Sequence, residues 1–207
     1  MLKLVKDVIV IGAGGHGKVI ADIVTAYGDN FLGFLDDDGN KETIGKISDY
    51  VKFADAYYII GIGDPQIREH ISNLPCKWYT AIHPSAVISP SAKIGEGTVV
   101  MPNAVINADA KIGRHTIINS ASVVEHDNDI DDFAHISVGA RLGGTVKVGK
   151  GAHIGIGAAV RNNVSICGNS IIGAGAVVVK NIEKMGIYKG IPARLDENNE
   201  DIDTDKP

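Results

Sequence analysis

Two different patterns of apolar residues share this chain. In the first, short β-branched runs end in glycine or aspartate and alternate with stretches of helical spacing. DVIVIG at 7–12 predicts a strand closed by glycines, and Val19, Ile20, Ile23 and Val24 predict the apolar stripe of a following helix. A second run ends at Phe34 and Leu35 before Asp36-Asp37-Asp38-Gly39. A third, Tyr57 to Ile62, ends in Gly63-Asp64 before the helix-like PQIREHISNL. Strand and helix in alternation predict a small α/β domain of Rossmann-like βαβ type over residues 1–80.

After Ile82 the rule changes. Aliphatic residues recur every six positions, from Ile82, Ile88, Ile94 and Val100 through to Ile172 and Val178, without a miss. A second column four residues later is small or β-branched everywhere except Asn128. One aliphatic and one small side chain per six residues suit a narrow, all-β parallel solenoid with a thin interior. Glycines directly after the aliphatic, such as Gly95, Gly113 and Gly143, supply turn positions. Phe133 is the one aromatic between Pro84 and Asn181, as expected of an interior too narrow for rings. The predicted domains are therefore 1–80, a solenoid at 81–181, a cap at 182–195 and an acidic, disordered tail at 196–207.

Charge sharpens this division. The 207 residues carry 20 Lys plus Arg against 25 Asp plus Glu, but the tail from Asp196 to Lys206 holds six acids and one lysine. What precedes it is balanced at 19 against 19, which argues against a nucleic-acid binder. Within that body, 141–194 is basic, with eight Lys or Arg against Glu183 alone, while Glu125, Asp127, Asp129, Asp131 and Asp132 cluster beside His126. Cys76 and Cys167 form no disulfide framework or zinc spacing, and the N-terminus has neither a membrane span nor a cleavage pattern. A cytoplasmic protein without membrane insertion is expected.

Gly12-Ala13-Gly14-Gly15-His16-Gly17 satisfies GxGxxG between a strand and a helix, with Asp36 and Asp37 some 20 residues on. A dinucleotide fold needs two mononucleotide halves and 80 residues supply one, so a single nucleotide is expected. Its phosphates would lie near Gly14 and Gly15 at the helix N-terminus, with an aspartate on ribose or base. His126 stands out among the solenoid histidines because the Asp127 carboxylate beside it can orient the imidazole and raise its basicity.

The segments IGEGTV, IGRHTI, VGKGAH, IGIGAA and IGAGAV resemble the hexapeptide repeat of left-handed β-helix acyltransferases. The resemblance implies a left-handed coil of three hexapeptides, giving five to six coils between 82 and 178. With GAGGHGK and LDDD added, the chain up to Arg194 resembles the bacterial nucleotide-sugar and sialic-acid acyltransferases. That family implies acetyl transfer from acetyl-CoA to the 4-amino group of a UDP-linked sugar in glycan biosynthesis, by a homotrimer with the cofactor between neighbouring helices. It assigns the nucleotide sugar to Gly14, Gly15, His16, Asp36, Asp37 and Gly63, and acetyl-CoA to His135, Ile156 and Ala174. NSASVVEH matches the segment that carries the histidine base, with Asp127 where relatives often have Glu. Eighteen residues after His126 lies Gly144, whose N–H would face the developing oxyanion.

Other readings remain open at this level. They are O-acetylation of sialic acid, N-acetylation of a GDP-amino sugar, a non-catalytic nucleotide-sugar module, and a metal-dependent hydratase using His135 and His153. No metal is expected for the acetyl-transfer reading.

Overall fold

The computed structural model describes residues 4–39 and 42–197. β1 (Asp7–Ile11), β2 (Asn30–Leu35), β3 (Tyr57–Ile60) and β4 (Lys77–Trp78) form a parallel sheet in the order β2-β1-β3-β4. Val8 and Val10 pack with Ile20, Ile23 and Val24 of α1 (Gly15–Tyr27) on one face. Ile9 and Ile11 face the other way, toward Ile71 of α2 (Pro65–Ser72) and a short 3₁₀ helix at Ile47–Phe53. All four are fully buried, the behaviour of a parallel strand covered on both faces. The connections diverge between β1 and β3, so the loops after these strands open a crevice at the sheet's carboxyl edge.

Seventeen two-residue strands follow, from Ala81–Ile82 to Val177–Val178. They feed three parallel sheets in rotation, named here the first, second and third faces after Ala81–Ile82, Val87–Ile88 and Lys93–Ile94. Each strand pairs in register with the one 18 residues on, as Ile118 does with Ile136 and Leu142 with Val160. The six-residue aliphatic column and its small companions fill the interior as one continuous core. Ile187–Lys189 adds a seventh strand to the first face beyond the six repeat strands, and Arg194–Leu195 folds back antiparallel on it. The coil therefore runs one rung further on this face than the repeat alone indicates. Asp196, placed in the tail on composition, is still held: its N–H donates to Ile187 and its carboxylate accepts from Lys189 Nζ at 2.5 Å. Residues 198–207 of the expected tail lie outside the described residues.

The corners are built on left-handed backbone. Between third and first faces the column is Gly97, His115, Phe133, Gly151 and Asn169, and between second and third it includes Asp109, Asp127, Thr145 and Asn163, all at positive φ. Asx residues tolerate this region better than most. Phe133 explains how a ring fits a narrow coil: it sits at a corner, outside the interior, stacked on His115 with centroids 5.6 Å apart. His115 is in turn edge-on to Trp78 at 4.8 Å. It is thus buried under the α/β domain rather than exposed on the coil, and burial lowers its pKa to about 4. Ala81, Val99 and Met101 of the first face join the α1 core, so the two domains share packing.

Candidate active site

His126 occupies the corner between second and third faces, and its Nδ1 lies 2.8 Å from Asp127 Oδ2. A carboxylate only accepts, so Nδ1 carries the proton and the exposed Nε2 presents a lone pair. The Asp127 bond raises the imidazole pKa, outweighing the opposing effect of desolvation. One coil on, Gly144 lies directly beneath: a Cβ there would stand 2.6 Å from both Cε1 and Nε2 of His126. Gly144 N–H has no acceptor among the described residues. Asn128, the break in the small-residue column, holds this turn together. Buried, its Nδ2 donates to Glu125 O at 2.6 Å and Gly143 O at 3.0 Å, and its Oδ1 accepts from Val146 N–H at 3.0 Å.

The glycine loop separates into two kinds of glycine. Gly12 is left-handed, and a Cβ on Gly17 would meet Gly12 O at 1.9 Å, so these two are demanded by packing. A Cβ on Gly14 or Gly15 would meet nothing within 4 Å. Their bareness leaves the N-terminus of α1, whose first N–H groups have no intrahelical acceptor, open to an anion. Asp36 ties the loop to β2, accepting from Ala13 N–H at 2.7 Å and Asp38 N–H at 2.9 Å. Asp37 accepts from Ile47 N–H at 3.0 Å. His16 has its pKa lowered to about 4 by burial and then by Arg68, and its buried Nε2 has no hydrogen-bond partner among the described residues. A cavity of about 610 Å³ adjoins the loop between Ala13, Lys18, Phe31, Phe34 and Ile44.

A second cavity, of about 550 Å³, lies between Gly63–Gln66 and the solenoid's His135, Gly151, His153 and Asn169. His135 and His153 are register partners whose rings stack at 4.7 Å. Asn119 Oδ1 accepts from Ser120 N–H, which turns Nδ2 toward His135 Nε2 at 3.0 Å. An amide nitrogen only donates, so His135 is neutral with its proton on Nδ1. Burial holds His135 well below the usual imidazole range, with His153 and Arg68 adding to the effect. His153 Nε2 is engaged by Ser137 Oγ at 2.7 Å. Among the described residues, no three His, Cys, Asp or Glu side chains gather into a metal-binding group.

The remaining predicted residues are not all brought together in one chain. His135 lies on the first face, facing the α/β domain, whereas Ile156 and Ala174 lie on the corner between first and second faces. Ile156 and Val138 are exposed there. The basic segment does not form one patch either, because an 18-residue coil distributes neighbours in sequence over three faces. Arg141 is on the second face, Lys147 on the third, and Lys150 and Lys189 are paired with Glu69 and Asp196. The exposed Lys180 falls in the corner column of His126 and Gly144, and the exposed Arg161 lies on the same corner one position before that column. Arg68 and Asn119 are the site-forming residues that sequence reasoning missed. Among the described residues no helix is long and apolar enough to cross a membrane.

Residues 7–74 match the PglD N-terminal domain family and residues 91–126 the bacterial transferase hexapeptide family (six repeats). UDP-N-acetylbacillosamine N-acetyltransferase of Bacillus subtilis (strain 168) is 40% identical over 110 residues, 46% of this chain and 51% of the relative. The chain thus spans about half the length of that curated relative. The acetyltransferase domain of PglB from Neisseria gonorrhoeae FA1090 in complex with acetyl coenzyme A superposes with TM-score 0.88 at 36% identity, covering 92% of this chain and 99% of that one. PerB from Caulobacter crescentus in complex with CoA and GDP-perosamine gives 0.87 at 33% identity, over 93% and 98%. On these matches the chain belongs to the PglD-type sugar acyltransferases, with their Rossmann-like N-terminal domain and left-handed parallel β-helix.

Proposed function

We propose that this chain is an acetyl-CoA-dependent N-acetyltransferase acting on the 4-amino group of a UDP-linked amino sugar, working in the cytoplasm as a homotrimer in bacterial glycan biosynthesis. The observation that carries the reading is the exposed Nε2 of His126, backed by Asp127 and lying over Gly144. The names of the relatives support the chemistry: one acts on a UDP-linked sugar, another holds acetyl coenzyme A, a third holds CoA and GDP-perosamine.

In this reading the sugar amine attacks the thioester carbonyl directly. The C–N bond forms as His126 Nε2 takes the amine proton, and Asp127 stabilises the resulting imidazolium. Gly144 N–H faces the oxygen that gains charge. The C–S bond then breaks and the CoA thiolate takes up the proton held by His126, so no acyl-enzyme forms. Gly14, Gly15 and His16 hold the phosphates, and the cavity walled by Phe31 and Phe34 takes the base. Asp36 and Asp37, at the end of β2 beside the glycine loop, accept from the ribose hydroxyls. Gly63 and the neutral Nδ1–H of His135 line the cleft between sugar and acetyl group.

Acetyl-CoA would run down the His126 corner, past Gly144 toward Arg161 and Lys180, whose charges suit its phosphates. Ile156 and Ala174 lie on a different corner of the same chain, so a groove using both sets needs a neighbouring copy. That is the argument for the trimer.

The test is thiol release from acetyl-CoA with UDP- and GDP-linked 4-amino sugars and sialic acid as acceptors. Turnover on the UDP-amino sugar, lost in His126→Ala, supports the reading. Preference for the GDP sugar corrects the base, and release with sialic acid alone overturns N-acetylation.

A further inference from the structure

Arg68 lies in α2 and is 1% exposed. Burying a guanidinium is costly unless its donors are satisfied. Here all its acceptors are main-chain carbonyls drawn from three places. Nη1 donates to Ile62 O at 3.3 Å and to Gly63 O, in the loop after β3. Nε donates to His115 O at 3.1 Å, and Nη2 to Phe133 O. His115 and Phe133 belong to successive coils, 47 and 65 residues from Arg68. A planar fork with five fixed donors can hold such a set, and an ammonium cannot. Asp64, the acid whose field reaches Arg68, already caps α2 through Ile67 N–H at 2.7 Å. The neighbouring Lys150–Glu69 pair crosses the same seam at 2.6 Å but is half-exposed, where ion pairs contribute little.

The bonded carbonyls decide what the residue does. Gly63 lines the cavity opposite His135 and His153, and Ile62 directly precedes it. Tying these two carbonyls to the corners of two coils sets the distance between the nucleotide-side loop and the histidine face. We infer that Arg68 is a positioning residue that fixes the nucleotide-sugar cleft by clamping the Ile62–Gly63 loop to the solenoid corners at His115 and Phe133. This rests on the proposed function for the identity of the ligand, but the clamp itself can be read without turnover.

The test compares full-length wild type with Arg68→Lys and Arg68→Met. It uses calorimetry with UDP, GDP and acetyl-CoA, amide hydrogen exchange, and steady-state kinetics with the nucleotide amino sugar that the wild type turns over. Arg68→Lys keeps a charge but cannot span the carbonyls. It is expected to weaken binding of the preferred nucleotide, and to raise KM for its sugar, about tenfold. Acetyl-CoA affinity stays within twofold, and exchange quickens at residues 61–66 but not at 141–178. Arg68→Met exceeds these effects, and if it fails to fold, Arg68→Lys alone decides. Nucleotide affinity within twofold of wild type in Arg68→Lys overturns the inference. So does a joint loss of nucleotide and acetyl-CoA binding with faster exchange throughout the chain, which marks a merely structural residue. Failure of the wild type to bind either nucleotide also overturns it. A wild type that binds nucleotide through this clamp yet acetylates no amine defeats the proposed function and leaves the clamp standing.

Discussion

Replacing Gly144 by alanine adds one methyl group at the point where the His126 ring crosses the next coil. The new Cβ would stand 2.6 Å from Cε1 and Nε2, against 3.4 Å at the near edge of ordinary contact, so the ring must move by about 0.8 Å. Misplacing a catalytic group by about 1 Å costs on the order of 10²-fold, which corresponds to about 2.7 kcal/mol of barrier. Gly144 is not in the left-handed region, so alanine fits its backbone and the fold is not expected to suffer. The expected result is kcat reduced about 100-fold with Tm within a few degrees of wild type. A ring pushed off Asp127 also loses the bond that chiefly raises its pKa, so the acid limb of kcat moves to lower pH. Thiol release across a pH series measures both effects. A folded Gly144→Ala enzyme with kcat within threefold of wild type would refute the placement of His126 Nε2 at the reacting centre.

His126→Ala should lower kcat by about 10²- to 10⁴-fold, the range of general-base catalysis, while calorimetry finds nucleotide affinity unchanged. In Asp127→Asn the imidazole loses the carboxylate that raises its pKa, so the acid limb shifts downward and kcat falls about tenfold as the base weakens; an unmoved limb would show that Asp127 does not support His126. Asn128→Ala strands two carbonyls and one N–H in a buried turn, and a loss of about 2–4 kcal/mol is expected in denaturant titration. With its pKa near 4, His16 is neutral above about pH 5.5, so it adds no pH dependence to nucleotide binding between about pH 5.5 and 8. A break in affinity near pH 6.5 that vanishes in His16→Ala would contradict this.

The solenoid is legible in the sequence because every coil presents the same environment to the same position. Ile118, Ile136 and Ile154 meet one interior, and a repeat is the direct image of that constraint. His126 was legible for a local reason, since its partner is the next residue. Arg68 was not: within PQIREHISNL it reads as a solvated helix position, and two of the four carbonyls that satisfy it come from residues 47 and 65 positions further along the chain. Nor does composition reveal that the basic segment 141–194 is dealt over three faces, or that His135 faces the α/β domain while Ile156 does not. These depend on which corner a residue occupies, and corner identity changes every six residues. Asn128 stands between the two cases. Its break in the small-residue column marked the turn, but only the hydrogen bonds show that it carries the shape of that turn.

Transfer of the acetyl group to a sugar nitrogen leaves a bond that product analysis can read. The enzyme is incubated with acetyl-CoA labelled in the acetyl carbon and a UDP-linked 4-amino sugar whose nitrogen is also labelled, and the product is read by carbon–nitrogen correlated NMR. A direct bond between the two labels is expected from the wild type, and none from His126→Ala. An acetyl carbon attached to a hydroxyl oxygen, or no labelled product on any nucleotide amino sugar, would contradict transfer to nitrogen.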